Sequence, residues 1–340
     1  MTQLSQPPLS LVGTASYLPE TVRDNAFFGC TDTKNPMFKG SRTRHHVADG
    51  ETAVQMIERA ARRLGENLDL DFGRDVDVLL TNVSCLDQPF TGCGASVARV
   101  LGCKPRWIID MQNTGCVSFV FMLDLARALI RSGARSALLC NVQNAGGRIF
   151  AHPENRARPQ SAIPGDGCGV GYVVANDESP VRAIETLSHG EYADDMRVKS
   201  EDGEAWWAPR SGPLHIDFTQ SRIGKIVSRG NQLVPKIVTK ACAEAGISVS
   251  DIDVLVTNQP NKTFLRNWRE ALLMPEEKHV HTFEDHGNLF GAAMPISIEK
   301  AALQGTLTNG STLAIGGFSH AGDYSGAAIV DWRGQSEHVQ

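Results

Sequence analysis

The stretch Val76-Asp77-Val78-Leu79-Leu80-Thr81-Asn82 has the pattern of a buried strand, and it returns later in the chain as Ile252-Asp253-Val254-Leu255-Val256-Thr257-Asn258. Short apolar runs rich in branched side chains are typical of strands that are covered on both faces. A motif that recurs within one chain indicates that a structural unit recurs as well. The sequence therefore predicts two equivalent strands in two similar units.

Two further motif pairs recur in the same order around these strands. They are Thr114-Gly115-Cys116 with His286-Gly287-Asn288, each before an apolar helix, and Gly165-Asp166-Gly167-Cys168-Gly169 with Gly322-Asp323-Tyr324-Ser325-Gly326, each before a short apolar strand. Each match alone is weak, but chance rarely places three in one order. The sequence therefore predicts two α/β halves, residues 1–177 and 178–340, packed about a pseudo-twofold axis. Cys116 and Asn288 would occupy equivalent helix starts that face a shared centre.

Strand and helix patterns alternate along the first half. Strand patterns cover 9–15, 76–82, 107–111, 136–142 and 169–175, and helical patterns cover 51–64, 91–101 and 116–131. This alternation indicates an α/β architecture with largely buried sheets. Gly65 is placed to end the first of these helices.

Composition limits the classes of function. The 340 residues are 41% apolar and 21% charged, which is ordinary for a globular protein with one large core or two. The formal net charge is −5 and no long basic run occurs, so no nucleic-acid partner is expected. Arg42, Arg44, His45 and His46 form one local basic cluster. It is either part of a solvated loop or a contact for a phosphate-bearing donor.

Cysteine spacing and the N-terminus indicate a compartment. None of the eight cysteines forms a Cys-x-x-Cys pair, which favours reduced thiols in a cytosol over disulfides or a metal site. The first eight residues have neither the charged start nor the apolar centre of a signal peptide. No uncharged apolar run reaches the length needed to cross a bilayer. We therefore expect a cytoplasmic protein with no metal and no membrane partner.

Cys116 is the candidate nucleophile. A glycine precedes it and an apolar helix follows it, so the backbone bends sharply and the helix start directs its free N–H groups and its positive dipole end at the sulfur. Such a setting lowers the pKa of a thiol and makes the thiol a better nucleophile. The alternative is an inert core cysteine. The matching position of Asn288 in the second half weakens that alternative.

With these motifs the sequence resembles the β-ketoacyl-acyl-carrier-protein synthase III family almost from end to end. Val12–Pro19 is similar to the opening strand and turn of the family, and Ala327–Trp332 is similar to its closing strand. The resemblance implies a thiolase fold, with the two α/β halves in a five-layered α-β-α-β-α arrangement. The family uses a cysteine, a histidine and an asparagine. By motif position, the resemblance implies Cys116 as the cysteine and Asn288 as the asparagine.

The histidine position departs from the family. The family motif is Pro-His-Gln-Ala-Asn, whereas this chain has Thr257-Asn258-Gln259-Pro260-Asn261. Asn258 can donate a hydrogen bond, but it cannot titrate near neutral pH or act as a base. Loss of one oxyanion donor typically lowers a rate by about 10²–10³-fold. Decarboxylative carbon–carbon bond formation should therefore be impaired, while acylation of Cys116 survives. The alternative is that Asn258 only packs a strand end.

Two more departures concern the acyl donor. The early loop Asn35–Lys39 lacks the tryptophan of the family, and Thr263, with Lys262 beside it, replaces an arginine after the histidine motif. Residues that bind the donor therefore stay unassigned. The resemblance implies no tightly bound cofactor, and it implies a thioester of coenzyme A or of the phosphopantetheine arm of an acyl carrier protein as the substrate.

The pattern is similar to a subgroup of the family that forms esters in antibiotic biosynthesis, of the cervimycin malonyltransferase type. An alcohol acceptor needs a base, and His320, in Gly316–Asp323, is the best-placed candidate. This stretch is a Gly-rich loop beside the cysteine in the resembling family. His320, oriented by Asp323, would thus replace the lost histidine in a Cys-His-Asp arrangement. The alternative is a surface-loop histidine, with Asp323 serving a turn as Asp166 would in the first half.

Other polar and aromatic residues have simpler interpretations. His286 is a second candidate base, although the family often carries a histidine or tyrosine there without catalytic use. His215 is predicted to be structural on a strand. Cys85 and Cys93 are predicted to be small packing residues, and the alternative is that their loop reaches the pocket of the partner subunit in a dimer. Trp206 and Trp207 either wall a substrate pocket or hold a long loop.

The sequence thus predicts a homodimeric acyltransferase that loads an acyl group on Cys116. Asn258, Asn288 and the backbone N–H of Cys116 would hold the thioester oxygen, and His320 would activate a hydroxyl or amine of a small-molecule acceptor. Two rivals stay open. One is a condensing enzyme that tolerates Asn258, and the other is a non-catalytic subunit that pairs with an active synthase.

Overall fold

Fourteen strands and eight α-helices are present in the part of the chain that the structure, a computed structural model, describes: residues 7–29, 40–112, 114–200, 202–205, 207–208, 212–217 and 220–334. The strands are β1 (Ser10–Tyr17), β2 (Thr21–Asp24), β3 (Thr43–His46), β4 (Val78–Val83), β5 (Trp107–Met111), β6 (Ser136–Gln143), β7 (Gly167–Val174), β8 (Val181–Ser188), β9 (Arg197–Ser200), β10 (Leu214–Asp217), β11 (Val254–Thr257), β12 (His279–Val280), β13 (Thr312–Ser319) and β14 (Tyr324–Asp331). The helices are α1 (Ala53–Leu68), α2 (Phe72–Asp75), α3 (Gly94–Leu101), α4 (Ser118–Arg131), α5 (Gln220–Ala245), α6 (Lys262–Ala271), α7 (Phe283–His286) and α8 (Ala293–Leu303).

Two five-stranded sheets with the same topology form the frame of the molecule. The first has the order β1-β7-β6-β4-β5, and the second has the order β8-β14-β13-β11-β12. In each sheet the repeated strand, β4 or β11, is parallel to both of its neighbours. The strand second from the other edge, β7 or β14, is antiparallel to both of its neighbours. The repeated strand motif thus occupies equivalent places in two mixed sheets. The division of the chain at residue 177, between β7 and β8, stays a prediction.

Helices separate and cover the two sheets. Helices α4 and α8 lie between the sheets and contact strands of both, whereas α1 and α3 cover the first sheet and α5 and α6 cover the second. A helix between two sheets must be apolar on most sides, and eight of the eleven residues of α8 are buried. This arrangement of five layers is the predicted α/β thiolase fold. Among the described residues, no helix is both long enough and apolar enough to cross a bilayer.

The first helix does not end at Gly65, as the sequence predicts. It continues to Leu68, and Asp69 takes the left-handed conformation (φ 54°) that ends it. Gly65 is needed for packing, because a Cβ there would lie 2.8 Å from the ring of Phe72. Gly65 is therefore needed for the close packing of the helix against Phe72 and does not end the helix.

The basic cluster is not an open anion-binding surface. Arg44 is completely buried and donates to the side chains of Asn25 and Ser41. Arg42 is exposed, but it pairs with Asp285 at 2.7 Å. The interpretation of this cluster as a contact for a phosphate-bearing donor is therefore not supported by these contacts. The early loop Asn35–Lys39 lies outside the described residues.

Candidate active site

Cys116 opens onto a cavity of about 740 Å³ that lies between the two sheets and the β9–β10 hairpin. It follows Gly115, whose φ of 43° lies in the left-handed region that favours glycine, and it belongs to a 3₁₀ turn, Gly115–Val117. The helix α4 begins at Ser118, after this turn. The nucleophile candidate is therefore presented on a tight turn at the start of the helix between the sheets.

Burial dominates the chemistry of the Cys116 thiol. The side chain of Asn258 and the backbone N–H of His320 donate to the sulfur and favour the thiolate. Burial of the sulfur opposes them more strongly, and the charge of Asp323 adds to it, so the pKa of the thiol is raised to about 12. The expected lowering of this pKa is therefore wrong. A thiol in this state needs a base before it can attack a thioester.

His320 lies against the turn that carries Cys116. Its Nδ1 is 3.1 Å from Oδ2 of Asp323. A Cβ added to Gly115 would lie 2.8 Å from the His320 Nε2, so that nitrogen faces the turn. With Nδ1–H donating to the carboxylate, Nε2 is the ring atom that can accept a proton. The structure thus brings Cys116, His320 and Asp323 together as the sequence predicts, although their assigned roles are not tested by this geometry.

His320 also has an unusual backbone. Its φ is 50°, in the left-handed region that a non-glycine side chain seldom adopts. Phe290, another residue lining the cavity, has a φ of 48°. Such conformations persist only where the surrounding structure fixes them, and they concentrate at functional sites.

Asp323 and Asp166 have different surroundings despite their matching motifs. Asp166 is fully buried and accepts backbone N–H bonds from Val47, Gly146 and Gly147, so it organises loops. Burial raises the pKa of Asp166 to about 7. Asp323 instead presents a carboxylate oxygen to a histidine ring. The alternative in which Asp323 only serves a turn does not account for this contact.

Asn258 joins the ends of β11 and β13. Its Nδ2 donates to the carbonyl oxygen of Phe318 at 2.9 Å, and its Oδ1 accepts the N–H of Phe318 at 3.3 Å. The side chain is 1% exposed. Asn258 therefore fixes the strand that leads to His320, in addition to its hydrogen bond with the Cys116 sulfur. Its donation to the thioester oxygen stays a prediction.

Replacement of Asn258 by alanine should lower the free energy of unfolding by about 2 kcal/mol, because it leaves the buried N–H and carbonyl of Phe318 without their partner. Urea denaturation measures this value. Asn267→Ala is the matched control, since its amide bonds only the side chain of Asn231 and the change should stay within about 0.5 kcal/mol. Equal effects of the two substitutions would contradict the bracing role.

Asn288 lines the cavity from the loop that follows α7. Its backbone N–H donates to the carbonyl of Ile163 at 2.8 Å, and its carbonyl accepts the N–H of Gly165 at 3.1 Å. Its Oδ1 accepts the N–H of Phe290 at 3.0 Å, which turns Nδ2 in the opposite direction. Loops from both parts of the chain thus hold this amide at the cavity wall.

Ser319 is a site residue that the sequence interpretation missed. It is fully buried, and its Oγ accepts the backbone N–H of Cys116 at 3.1 Å. From the sequence we expect that N–H to donate to the thioester oxygen, but in the structure it donates to the hydroxyl oxygen of Ser319. The signal was its position directly before His320 in a Gly-rich stretch.

The structure also changes the interpretation of two other side chains. His215, predicted to be structural, lines the cavity, as does Cys85. His286 is not among the described residues lining the cavity, and its ring packs against His45 with centroids 5.1 Å apart. Trp207 is 72% exposed, and Trp206 lies outside the described residues.

Comparison with known proteins gives consistent matches over the whole chain. The family model for 3-oxoacyl-[acyl-carrier-protein (ACP)] synthase III matches residues 109–190, and the model for the C terminal part of that enzyme matches residues 242–332. Beta-ketoacyl-[acyl-carrier-protein] synthase III of Ruegeria sp. (strain TM1040) is 29% identical over 95% of this chain and 98% of its own. The protein of the same description from Roseobacter denitrificans is 28% identical over 95% and 98%.

Solved structures agree in fold. The 3-oxoacyl-(acyl carrier protein) synthase III of Pseudomonas aeruginosa PAO1 superposes with a TM-score of 0.84 at 24% identity, covering 97% of this chain and 100% of that one. The priming beta-ketosynthase from the R1128 polyketide biosynthetic pathway has a TM-score of 0.84 at 20% identity and covers 96% of each chain. At these identities the likeness concerns the fold.

Proposed function

Because the chain belongs to the 3-oxoacyl-[acyl-carrier-protein] synthase III family, we propose that it moves an acyl group from a thioester through Cys116 to a small-molecule acceptor without decarboxylative condensation. The donor is a thioester of coenzyme A or of an acyl carrier protein, and the acceptor carries a hydroxyl or an amine. The observation that supports this proposal best is the His320–Asp323 pair beside Gly115, combined with an asparagine at position 258.

In the loading step, Nε2 of His320 takes the proton of the Cys116 thiol, and the sulfur attacks the thioester carbon. The donor carbon–sulfur bond breaks, and the proton passes from His320 to the departing thiol. Asp323 stabilises the imidazolium and holds its tautomer. We infer that Asn288, which lines the cavity, and the backbone N–H of His320, which lies beside the sulfur, donate to the developing oxyanion.

In the transfer step, His320 removes the proton of the acceptor as the acceptor attacks the acyl-enzyme. The bond between the acyl carbon and the Cys116 sulfur breaks, and the proton returns to the sulfur. Neither step needs a base at position 258. Decarboxylative condensation in the family uses the histidine of the Pro-His-Gln-Ala-Asn motif. This chain has Asn258 at that position, and asparagine does not titrate. A role in ester formation in antibiotic biosynthesis, in the cytoplasm, stays part of this proposal.

Intact-protein mass spectrometry after exposure to a panel of acyl thioesters tests the proposal. An acyltransferase shows a mass increase equal to the acyl group, and the increase disappears in Cys116→Ala. No increase with any donor would contradict the proposal and favour a non-catalytic partner subunit. Release of carbon dioxide from a malonyl thioester with formation of a carbon–carbon bond would favour the condensing enzyme, which the names of the curated relatives support.

The edge of the first sheet supports the proposed homodimer. Strand β5 pairs with β4 alone among the described strands, and Ile108 on it is 40% exposed. An unpaired, apolar edge strand is a template for pairing with another chain. A second copy of this chain is the partner that a pseudo-symmetric enzyme of this family would recruit.

Light scattering should therefore give twice the mass of the 36.8-kDa chain, and Ile108→Glu should shift the population to monomer by placing a charge in the apolar edge. Leu303→Glu puts the same charge on an exposed apolar position of α8 and should leave the mass unchanged. A wild-type monomer at micromolar concentration would contradict the homodimer.

A further inference from the structure

The part of the cavity below the β9–β10 hairpin is an apolar chamber. We define the chamber by six side chains that line the cavity from the segment around β9 and β10 and from the first turns of α5: Met196, Val198, Ile216, Ile223, Ile226 and Val227. The chamber is continuous with the part of the cavity that contains Cys116 and His320. A molecule in the chamber therefore shares the cavity with the Cys116 sulfur and the His320 ring.

The apolar face of α5 that lines part of the chamber continues along the helix into the hydrophobic core. Ile223, Ile226 and Val227 lie on one helix face, and Gly230 follows on that face, where Phe264 and Phe318 pack within 3 Å of the position of a Cβ. Further along, this face is fully buried. In the first turns of the helix it lines the cavity instead, and Ile223 and Val227 remain 37% and 36% exposed. The helix therefore presents to the cavity the kind of surface that it elsewhere buries.

The cavity contains no formal charge in its described lining. Among the described residues that line it, none is Asp, Glu, Lys or Arg, and the polar ones are amides, a serine, two histidines and two thiols. Burying an ammonium or carboxylate without a partner of opposite charge is strongly unfavourable. A hydroxyl can instead be satisfied by an amide or an imidazole. The chamber thus discriminates against charged molecules by the absence of compensation.

We propose that the chamber binds the acceptor, and that the acceptor is an uncharged alcohol on an apolar skeleton rather than an alkylamine. This inference rests on the proposed function and narrows its acceptor class. The hydroxyl oxygen forms an ester bond with the acyl carbon as the bond from that carbon to the Cys116 sulfur breaks. The hydroxyl proton passes to His320 Nε2 and then to the sulfur, which restores the thiol.

A matched pair of probes tests this proposal. The two probes, 1-naphthylmethanol and 1-naphthylmethylamine, have the same skeleton, but the amine is charged at pH 7. Binding to the unloaded wild-type chain is measured by saturation-transfer NMR, and ester formation by the acyl-loaded chain is measured by mass spectrometry. The alcohol should bind at least tenfold more tightly than the amine. Ile223→Glu should reduce both binding of the alcohol and ester formation at least tenfold, whereas Leu303→Glu should change neither.

Equal binding of the two probes, or an unchanged affinity for the alcohol in folded Ile223→Glu, would overturn the chamber as the acceptor site. Should Ile223→Glu fail to fold, the wild-type comparison of alcohol with amine decides the question alone. Failure of every thioester to load Cys116 is a failure of the proposed function, and the binding comparison still supports or refutes the chamber. Loading without any preference between the probes refutes the chamber and leaves the proposed function intact.

Discussion

His320→Asn should slow acylation of Cys116 by about 10³-fold, within the range that general-base catalysis contributes. The pKa of the Cys116 thiol is raised to about 12, so only about one molecule in 10⁵ carries the thiolate at pH 7. A base at His320 Nε2 removes this limitation. Asparagine is the appropriate replacement because it tolerates the φ of 50° at this position but cannot accept a proton. Quenched-flow mass spectrometry with a loading thioester gives the rate.

The pH dependence provides a second readout of the same substitution. Because the thiol pKa is raised, the neutral thiol is favoured below pH 12 and the thiolate fraction grows as pH rises. Acylation in His320→Asn should therefore accelerate about tenfold per pH unit between pH 7 and 9, as expected for a thiol that ionises without help. The wild-type chain should depend less steeply on pH. An undiminished rate or a flat profile in the variant would show that His320 is not the base.

Gly165→Ala should impair stability and activity together. A Cβ at this position would lie 1.9 Å from the backbone carbonyl oxygen of His286, and a backbone atom cannot move aside as a flexible side chain can. The loop that carries Asn288 must shift, which disrupts its two backbone hydrogen bonds to Ile163 and Gly165. Overpacking and lost buried hydrogen bonds together should lower the free energy of unfolding by about 3 kcal/mol or more.

Displacement of Asn288 should also lower acyl transfer by about 10²-fold, since an oxyanion donor moves away from the reacting carbon. Gly190→Ala is the matched control, because no atom lies within 4 Å of the added Cβ. Its stability should change by less than about 0.5 kcal/mol. Denaturant titration and the mass-spectrometric transfer assay measure the two effects. Wild-type transfer by a fully folded Gly165→Ala chain would refute the positioning role of this contact.

The fold was predictable because its determinants are local and repeated. Val76–Asn82 and Ile252–Asn258 carry the same pattern, and each forms a strand with two parallel neighbours in its sheet. The placement of His320 beside Cys116 followed from motif order and family resemblance. No local pattern relates two residues so far apart in the chain.

The properties that the sequence did not predict depend on three-dimensional enclosure. The raised thiol pKa arises from burial by both sheets, which outweighs the local effect of a turn before a helix. His215 lines the cavity because the β9–β10 hairpin forms part of its wall. The short pattern Leu214–Asp217 indicates a strand, but it does not indicate which part of the protein its side chains face. Arg44 is buried through contacts with Asn25 and Ser41, which its neighbours in the basic cluster do not reveal.

The proposed nucleophile and its proposed base are separated by about two hundred residues of sequence, from Cys116 to His320. Cys116 follows the edge strand of one sheet, whereas His320, Asp323 and Asn258 belong to the other, and both groups meet only after the two sheets have closed over α4 and α8. Removal of the segment that contains β13 and β14 would therefore take away His320 and Asp323 and leave Cys116 without its proposed base.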